Sequence, residues 1–472
     1  MSSTLVGTAP QPRPRSRRPL ASAALRLNLD PLRGALFLLV VMSVSRLHQY
    51  SPAIARFRPL LLLVAFTGLY AFLSPKKIAA DNLQLRPTRL VLAIGVWACL
   101  SAPFGISLGG SGKFILDEFS KTILLCILLI VGIRGPRDLL TIVWSYVIGC
   151  GVLSYFSLFV FGMTKSYGSE VARLKGGMAT WDANDVGLVL LIGLALAILT
   201  FQTSQKNGKI LSGLIILGIG GALARSGSRG AFVGLVAFGL ALLVTLRSVP
   251  ITKRLGFMFA TTIALVIAAP PGYWLQMKTI ASPTKDYNWD APDGRRAVAE
   301  RGLGYMLGYP IFGLGINNFW RAECFMSEKA ANRVLGHGIR CTPPHNSYLQ
   351  AGAEAGIPGF VLWTSLVFGG IIGPNRLRKR LRMWERGDPE QRFLYLASLY
   401  LPLAMISFAV TSFFLTFAWV DMVYMITAMI AGLYVCVGSR LPELKPGIPR
   451  SRQRRGMPIR SAEAIPPATA SG

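Results

Sequence analysis

The sequence predicts an all-α polytopic membrane protein of about twelve transmembrane helices, with one large polar loop on its outer side. Three observations lead there. Hydrophobic residues fill 52% of the 472 positions and charged residues only 15%, with a mean hydropathy of +0.48, too little polarity to clothe a soluble domain of this size. Apolar runs recur at lengths near the roughly 20 residues that cross a hydrocarbon core. The formal charge of +29 gathers in both tails and in alternate loops, as in a multi-pass protein whose basic loops stay in the cytoplasm. No stacking module or DNA-binding motif accompanies that charge, so nucleic acid is not an expected partner.

Taken in order, residues 1–30, with Arg13, Arg15, Arg17 and Arg18, read as a disordered basic cytoplasmic tail. No apolar signal region or small-residue cleavage site follows it. Residues 31–275 hold nine apolar runs, at about 34–49, 59–74, 89–109, 114–133, 137–162, 184–201, 209–224, 230–247 and 254–275. Residues 276–346 form the large outer loop. Three further runs, at 347–373, 393–414 and 418–438, complete the membrane part, and 439–472 form a second basic cytoplasmic tail.

Counting sides from a cytoplasmic N-terminus places Lys76, Lys77, Arg86, Arg89, Arg134, Arg137, Lys206, Lys209, Arg247, Lys253, Arg254 and the Arg376–Arg386 cluster inside. The C-terminal tail adds Arg440, Lys445, Arg450, Arg452, Arg454 and Arg455. The exceptions left outside are then of interest: Arg173 and Lys175, Arg225 and Arg229, Arg295 and Arg296, and His345.

Arg225 and Arg229 lie in ARSGSRGAFVG, a bare hinge between two apolar runs. Its Gly and Ser permit a tight turn, and a guanidinium beside the free N–H groups of a helix start suits phosphate. Snorkelling to lipid headgroups is the competing account for either arginine. Arg173 precedes a Gly-Gly pair in RLKGGMATWDANDVG, where Asn184 or Asp185 is the expected cap of the next helix; taken by itself it fits a solvated loop residue. Asp293-Gly294-Arg295-Arg296 opens an amphipathic helix whose charges also suit a solvated face.

His345 follows Pro343-Pro344 and precedes Asn346 and Ser347, either of which can cap the next helix, with Gln350 completing a capping-box spacing from Ser347. That sets an imidazole at the mouth of a transmembrane helix, where it can take a proton or simply hold the loop together. His337, between two glycines, is the competing histidine.

Cys324 and Cys341 share the polar loop, where an extracytoplasmic setting permits a disulfide. Cys99, Cys126, Cys150 and Cys436 sit in apolar runs as small packing residues. GGSGKF around Lys113 lacks the glycine spacing and the Ser/Thr of a Walker A loop. Outer loops carry no Asp-x-Asp pair and no Cys/His cluster at metal spacing. Neither a metal nor another cofactor is expected.

RLKGGMATWDANDVG, SGSRGAFVGL, DGRR with the GYPIFGLGINNF run, and HNSYLQAGAEAGIPG follow one another in a single order over about 170–360. In this the chain resembles the O-antigen ligase and O-antigen polymerase superfamily of bacterial inner-membrane glycosyltransferases. The resemblance implies a C-type glycosyltransferase-like fold with its active site on the periplasmic face. It implies a glycan taken from undecaprenyl diphosphate and joined, without metal or ATP, to an acceptor sugar, either lipid A–core or another lipid-linked repeat. Carried over, Arg173 and Arg229 hold the donor diphosphate with Arg225 and Arg296 beside them. Arg295 opens the periplasmic helix, and His345 activates the acceptor hydroxyl or orients phosphate. Where the family often shows an aromatic after that Gly-Arg, this chain has Ala297, Val298 and Ala299, a departure that touches the acceptor side.

Ligase is the first expectation, since one large outer loop before the histidine is its usual layout. Polymerization of O-antigen or exopolysaccharide repeats is the alternative, with protein O-glycosylation behind it. A transporter of about twelve helices is the reading from another class. It asks for internal repeats and mid-membrane charges, and only Glu118 with Lys121, an expected internal pair, comes close. A structural scaffold would need no outer arginines at three separated places.

Overall fold

The computed structural model describes residues 27, 29–50, 52–165, 172–175, 181–246, 250–269, 272–282, 289, 294–328, 330 and 341–440. Most of both tails, Arg247, the Gly176-Gly177 pair, Asp293 and His337 lie outside these residues.

Each apolar run falls on a helix. The first nine runs give α1 (Pro31–Ser45), α2 (Pro59–Leu73), α3 (Arg86–Phe104), α4 (Leu108–Phe114) with α5 (Ser120–Gly132), α6 (Pro136–Tyr155), α7 (Ala183–Thr203), α8 (Lys206–Ser226), α9 (Arg229–Thr245) and α10 (Ile251–Ala268). Among the described residues that follow are three small helices, α11 (Tyr273–Lys278), α12 (Arg295–Gly308) and α13 (Phe319–Phe325). The last runs give α14 (Ser347–Arg380), α15 (Pro389–Thr411) and α16 (Asp421–Gly438). The chain is an all-α, multi-pass membrane protein. Its only strands among the described residues are β1 (Met163–Lys165) and β2 (Ala172–Leu174), an antiparallel pair with Thr164 opposite Arg173.

Among the described residues, seven helices are both long and apolar enough to cross a membrane: α3, α6 with its π-helical extension to Val160, α7, α8, α14, α15 and α16. The shortfall from twelve has physical causes. At 15, 15 and 17 residues, α1, α2 and α9 rise less than the ~30 Å of a hydrocarbon core. Between α4 and α5 the helix widens into a π-turn at Ile115–Phe119, with Lys113, Asp117, Glu118 and Lys121 around it. Glu118 and Lys121 form no ion pair there, contrary to expectation. GGSGKF lies within helix α4, not in a phosphate loop.

α7, α15 and α16 sit at the centre, with almost every apolar side chain buried. Cys126, Cys150 and Cys436 are part of that packing, whereas Cys99 is exposed on α3. One end of the bundle is tied by ion pairs: Arg33 to Asp30 (3.2 Å) and Asp138 (3.4 Å), Lys77 to Asp30 (3.6 Å), Arg137 to Glu390 (4.0 Å), and Arg440 to Asp388 (3.6 Å) and Glu390. These are helix ends that the charge count assigns to the inside.

At the other end, α14 is broken. Gly356 has φ 70° and ψ −175° within it, a region that only glycine occupies readily. The carbonyls that the break frees find partners elsewhere. Ala353 O accepts from Leu314 N (2.8 Å), Ala355 O from Trp97 Nε1 (2.8 Å) and Glu354 O from Ser101 Oγ (3.2 Å), while Ile357 N donates to Pro310 O (2.8 Å). The GYPIFGLGINNF segment is therefore built into the bundle rather than left as loop.

Candidate functional site

The end away from those ion pairs collects the outer arginines. Asp182, not Asn184 or Asp185, caps α7: its carboxylate accepts from Asn184 N (2.7 Å) and Asp185 N (3.0 Å), and Asp185 returns a bond to Asp182 N (2.9 Å). With capping done by Asp182, the Asn184 side chain serves another purpose. Its Oδ1 accepts from Arg173 Nη2 and from Ser228 Oγ, both at 2.8 Å. One amide oxygen thus fastens the β2 arginine to the α8–α9 turn.

That turn closes on Gly227, left-handed at φ 59°, with Arg173 Cγ and Gln276 Oε1 within ordinary contact (3.5 and 3.4 Å) of where a side chain would begin. Ser228 then caps α9, accepting from Ala231 N (3.1 Å), and Arg229 is the first helical residue. Arg229 donates to Thr279 Oγ1 (2.8 Å) just after α11. The helix start adds its own partial positive charge to the guanidinium. On the other side of the turn, Arg225 donates to Phe161 O (3.2 Å). Below it, a groove of about 350 Å³ runs between α6 and α8, lined by Gly151, Tyr155, Leu158, Leu214 and Gly218.

His345 reaches the same face from the other half of the chain. Asn346 caps α14, accepting from Tyr348 N (3.0 Å) and Leu349 N (3.1 Å). The Ser347–Gln350 capping box does not form. Ser347 Oγ instead donates to Leu415 O (2.8 Å) and accepts from Phe417 N (2.9 Å), and Gln350 accepts from Ala418 N (3.0 Å). His345, half-buried and left-handed at φ 46°, donates its backbone N–H to Thr416 Oγ1 (3.1 Å). A side chain on Gly230 would touch Phe414 Cβ at 3.0 Å, so the Arg229 turn packs against the segment that holds His345.

Arg295 and Arg296 open α12. Gly302 packs against Leu349, and Met306 against Gly352. Both contact pairs advance in the same direction, which places Arg295, about two turns earlier, at the His345 end of α14. Arg296 is exposed and paired with Glu300 (3.0 Å), while Arg295 is half-buried. α12 does not separate into two faces as expected: Val298 and Gly302 are buried, yet Leu303 and Leu307 stand exposed.

Arg301 pairs with fully buried Glu323 at 2.6 Å, and Tyr305 donates to the same carboxylate (3.1 Å). The Glu323 hydrogen bond pushes Arg301 above its ordinary value, and burial pushes the Tyr305 hydroxyl up, so the guanidinium remains charged and the phenol protonated. Next to Glu323, Cys324 is disulfide-linked to Cys341, with Cα atoms 5.1 Å apart. Closing a loop of this size contributes about 3 kcal/mol in the chain-entropy account. Cys324→Ser is accordingly expected to lower the thermal midpoint in detergent, and non-reducing peptide mapping should lose the 324–341 crosslink. An unchanged midpoint would show the bond to be structurally idle.

Three residues at this end lacked a sequence signal of their own. Asn184 was expected only as a cap. Arg46 hides at the end of an apolar run, and Glu354 lies inside another. Glu354 is 2% exposed, and its carboxylate accepts from Phe319 N (3.1 Å), Gln350 Nε2 (3.4 Å) and Trp419 Nε1 (2.6 Å). It knits α13, α14 and the α15–α16 loop together. Among the described residues, no group of three or more His, Cys, Asp or Glu side chains is placed to hold a metal ion.

Residues 213–364 match the family described as O-antigen ligase. That segment is an O-antigen ligase family domain. The matched segment contains Arg225, Arg229, Arg295, Arg296 and His345, and α1–α7 with Arg173 lie before it. No curated protein matches the chain in a sequence comparison. The geometry divides along that family match. The family segment carries the Arg229 turn and His345, while Asn184 from outside it holds that turn in place.

Proposed function

We propose that this protein transfers a glycan from undecaprenyl diphosphate to an acceptor sugar of lipid A–core, on the periplasmic side of the bacterial inner membrane with both termini cytoplasmic. Ligase- or polymerase-type glycan transfer follows from the family; the donor, acceptor and side are our reading. The observation that carries it is the Arg229 turn: a guanidinium at the first position of a helix, tied through Asn184 to Arg173. Such a cluster suits a lipid diphosphate, whose departure needs its charge neutralised by groups already in place. The groove between α6 and α8 offers its apolar walls to a carrier chain.

The acceptor hydroxyl oxygen attacks the anomeric carbon, the bond from that carbon to the diphosphate oxygen breaks with its electron pair on the diphosphate, and configuration inverts. The proton passes to the His345 imidazole. Arg173, Arg225, Arg229 and Arg296 hold the leaving diphosphate, and Arg295 stands at the acceptor side with His345. The energy comes from the glycosyl–diphosphate bond, so no nucleotide or metal enters the scheme.

The test uses purified protein in detergent with an undecaprenyl-diphosphate glycan and lipid A–core, without metal or ATP. Glycan appearing on lipid A–core is the expected result. Chains lengthening on the carrier would replace ligase by polymerase. Donor that binds without either product would sink the enzymatic reading and favour transport.

A further inference from the structure

Resting on that reading, we propose that Arg46 is a positioning residue for the donor site, acting through Trp181 and the start of α7. Arg46 directly follows α1 in a left-handed conformation (φ 53°), fixed by its N–H to Met42 O (3.0 Å). Its side chain is only 16% exposed and lies 3.8 Å from Asp421 Oδ2. That carboxylate is already served by hydroxyls, Thr122 on Oδ1 (2.6 Å) and Ser43 on Oδ2. Charge neutralisation of Asp421 therefore accounts for only part of the placement. The guanidinium carbon sits 5.3 Å from the centroid of the Trp181 ring, itself 5% exposed. A planar cation over an indole is the favoured geometry for such contacts. Arg46 Nε is buried with no hydrogen-bond partner, so ring stacking and Asp421, rather than a full set of donors, hold this group.

What Trp181 supports is the donor site. The next residue, Asp182, is the N-cap of α7. Asp182 Oδ2 accepts from Asn184 Nδ2 (3.2 Å), which fixes the orientation of the amide whose oxygen holds Arg173 and Ser228. Loosening Trp181 therefore shifts Arg173 and the Arg229 turn together, without removing any group that meets the diphosphate. A displacement of about 1 Å is enough to cost up to ~10²-fold in rate.

The experiment compares Arg46→Gln, Arg46→Lys, Trp181→Leu, the Arg46→Gln/Trp181→Leu double variant and Asp421→Asn with wild type. It reads binding of undecaprenyl diphosphate alone, the KM for donor and for acceptor, and the thermal midpoint. We expect Arg46→Gln and Trp181→Leu each to weaken donor binding and raise donor KM by about 10- to 100-fold with acceptor KM unchanged. Arg46→Lys should recover part of the loss, and the double variant should be no worse than the poorer single. Losses that add in the double variant, that follow Asp421→Asn instead of Trp181→Leu, or that appear only in the thermal midpoint would overturn the inference. Arg229→Ala runs alongside: if it loses donor binding while Arg46→Gln keeps it, only the Arg46 role fails. If Arg229→Ala keeps it too, the donor site falls and takes the Arg46 role with it.

Discussion

Arg229→Ala is expected to lower the rate of glycan transfer by about 10²- to 10³-fold, the loss typical of one preorganised donor at developing charge. The substitution removes a half-buried side chain that donates to the Thr279 hydroxyl. Ser228 still caps α9 and still binds Asn184, so the turn keeps its shape. The thermal midpoint should therefore stay close to wild type while kcat/KM for the donor collapses. Arg229→Lys should recover only part, since a point charge replaces a fork that can contact two phosphate oxygens. Arg376→Ala, an exposed arginine at the opposite end of the bundle, serves as the control and should transfer at the wild-type rate. A rate for Arg229→Ala within a few-fold of that control would remove the diphosphate site from this turn.

Gly356→Ala should act on the fold instead. At φ 70° and ψ −175° an L-residue is strained by about 1–3 kcal/mol, and the added carbon would collide with Ile311 O and, at 2.8 Å, with Pro310 O. Relief requires either Ile357 N to leave Pro310 O or the chain at 310–314 to retreat from Ala353 O. Either route costs a backbone hydrogen bond, and the Leu314–Ala353 one is fully buried, where a lost partner is worth roughly 1–3 kcal/mol. The expected outcome is a lower yield of folded protein and a thermal midpoint well below wild type in size-exclusion-monitored heating. A wild-type midpoint would mean that the break in α14 is not required by the packing around it.

Much of this was legible in the residues, and the reason is local in each case. Apolar runs give the helices, because a segment without charge in this setting has one stable form. The Pro-Pro-His-Asn order fixes where α14 begins, and Ser-Gly-Ser-Arg fixes where α9 begins. What escaped depends on distant partners. Asp182 won the cap over Asn184 because Asn184 is drawn to Arg173 and Ser228. Ser347 and Gln350 have capping spacing but are claimed by the 415–418 backbone. Two three-residue strands carry too little pattern to announce a hairpin. Arg46 counts as a flank of an apolar run until Trp181 and Asp421, far along the chain, are seen around it. Roles for the outer arginines and His345 came from their order along the chain rather than from any one of them.

The pairing of 310–314 with the break in α14 also constrains how the molecule can be made. Ile106 N bonds to Leu314 O (2.9 Å), and Gly105 lies against Leu314 and Gly315, so the C-terminal end of α3 finishes on residues synthesised some 200 positions later. α3 must therefore wait at the translocon exit, or in the open bilayer, with Trp97 and Ser101 unserved until α14 arrives. The two halves of the chain are not separable assembly units. A break introduced between them in the gene would give fragments that each lack the other's backbone partners, and co-expression, not either half alone, would be needed to rebuild the bundle.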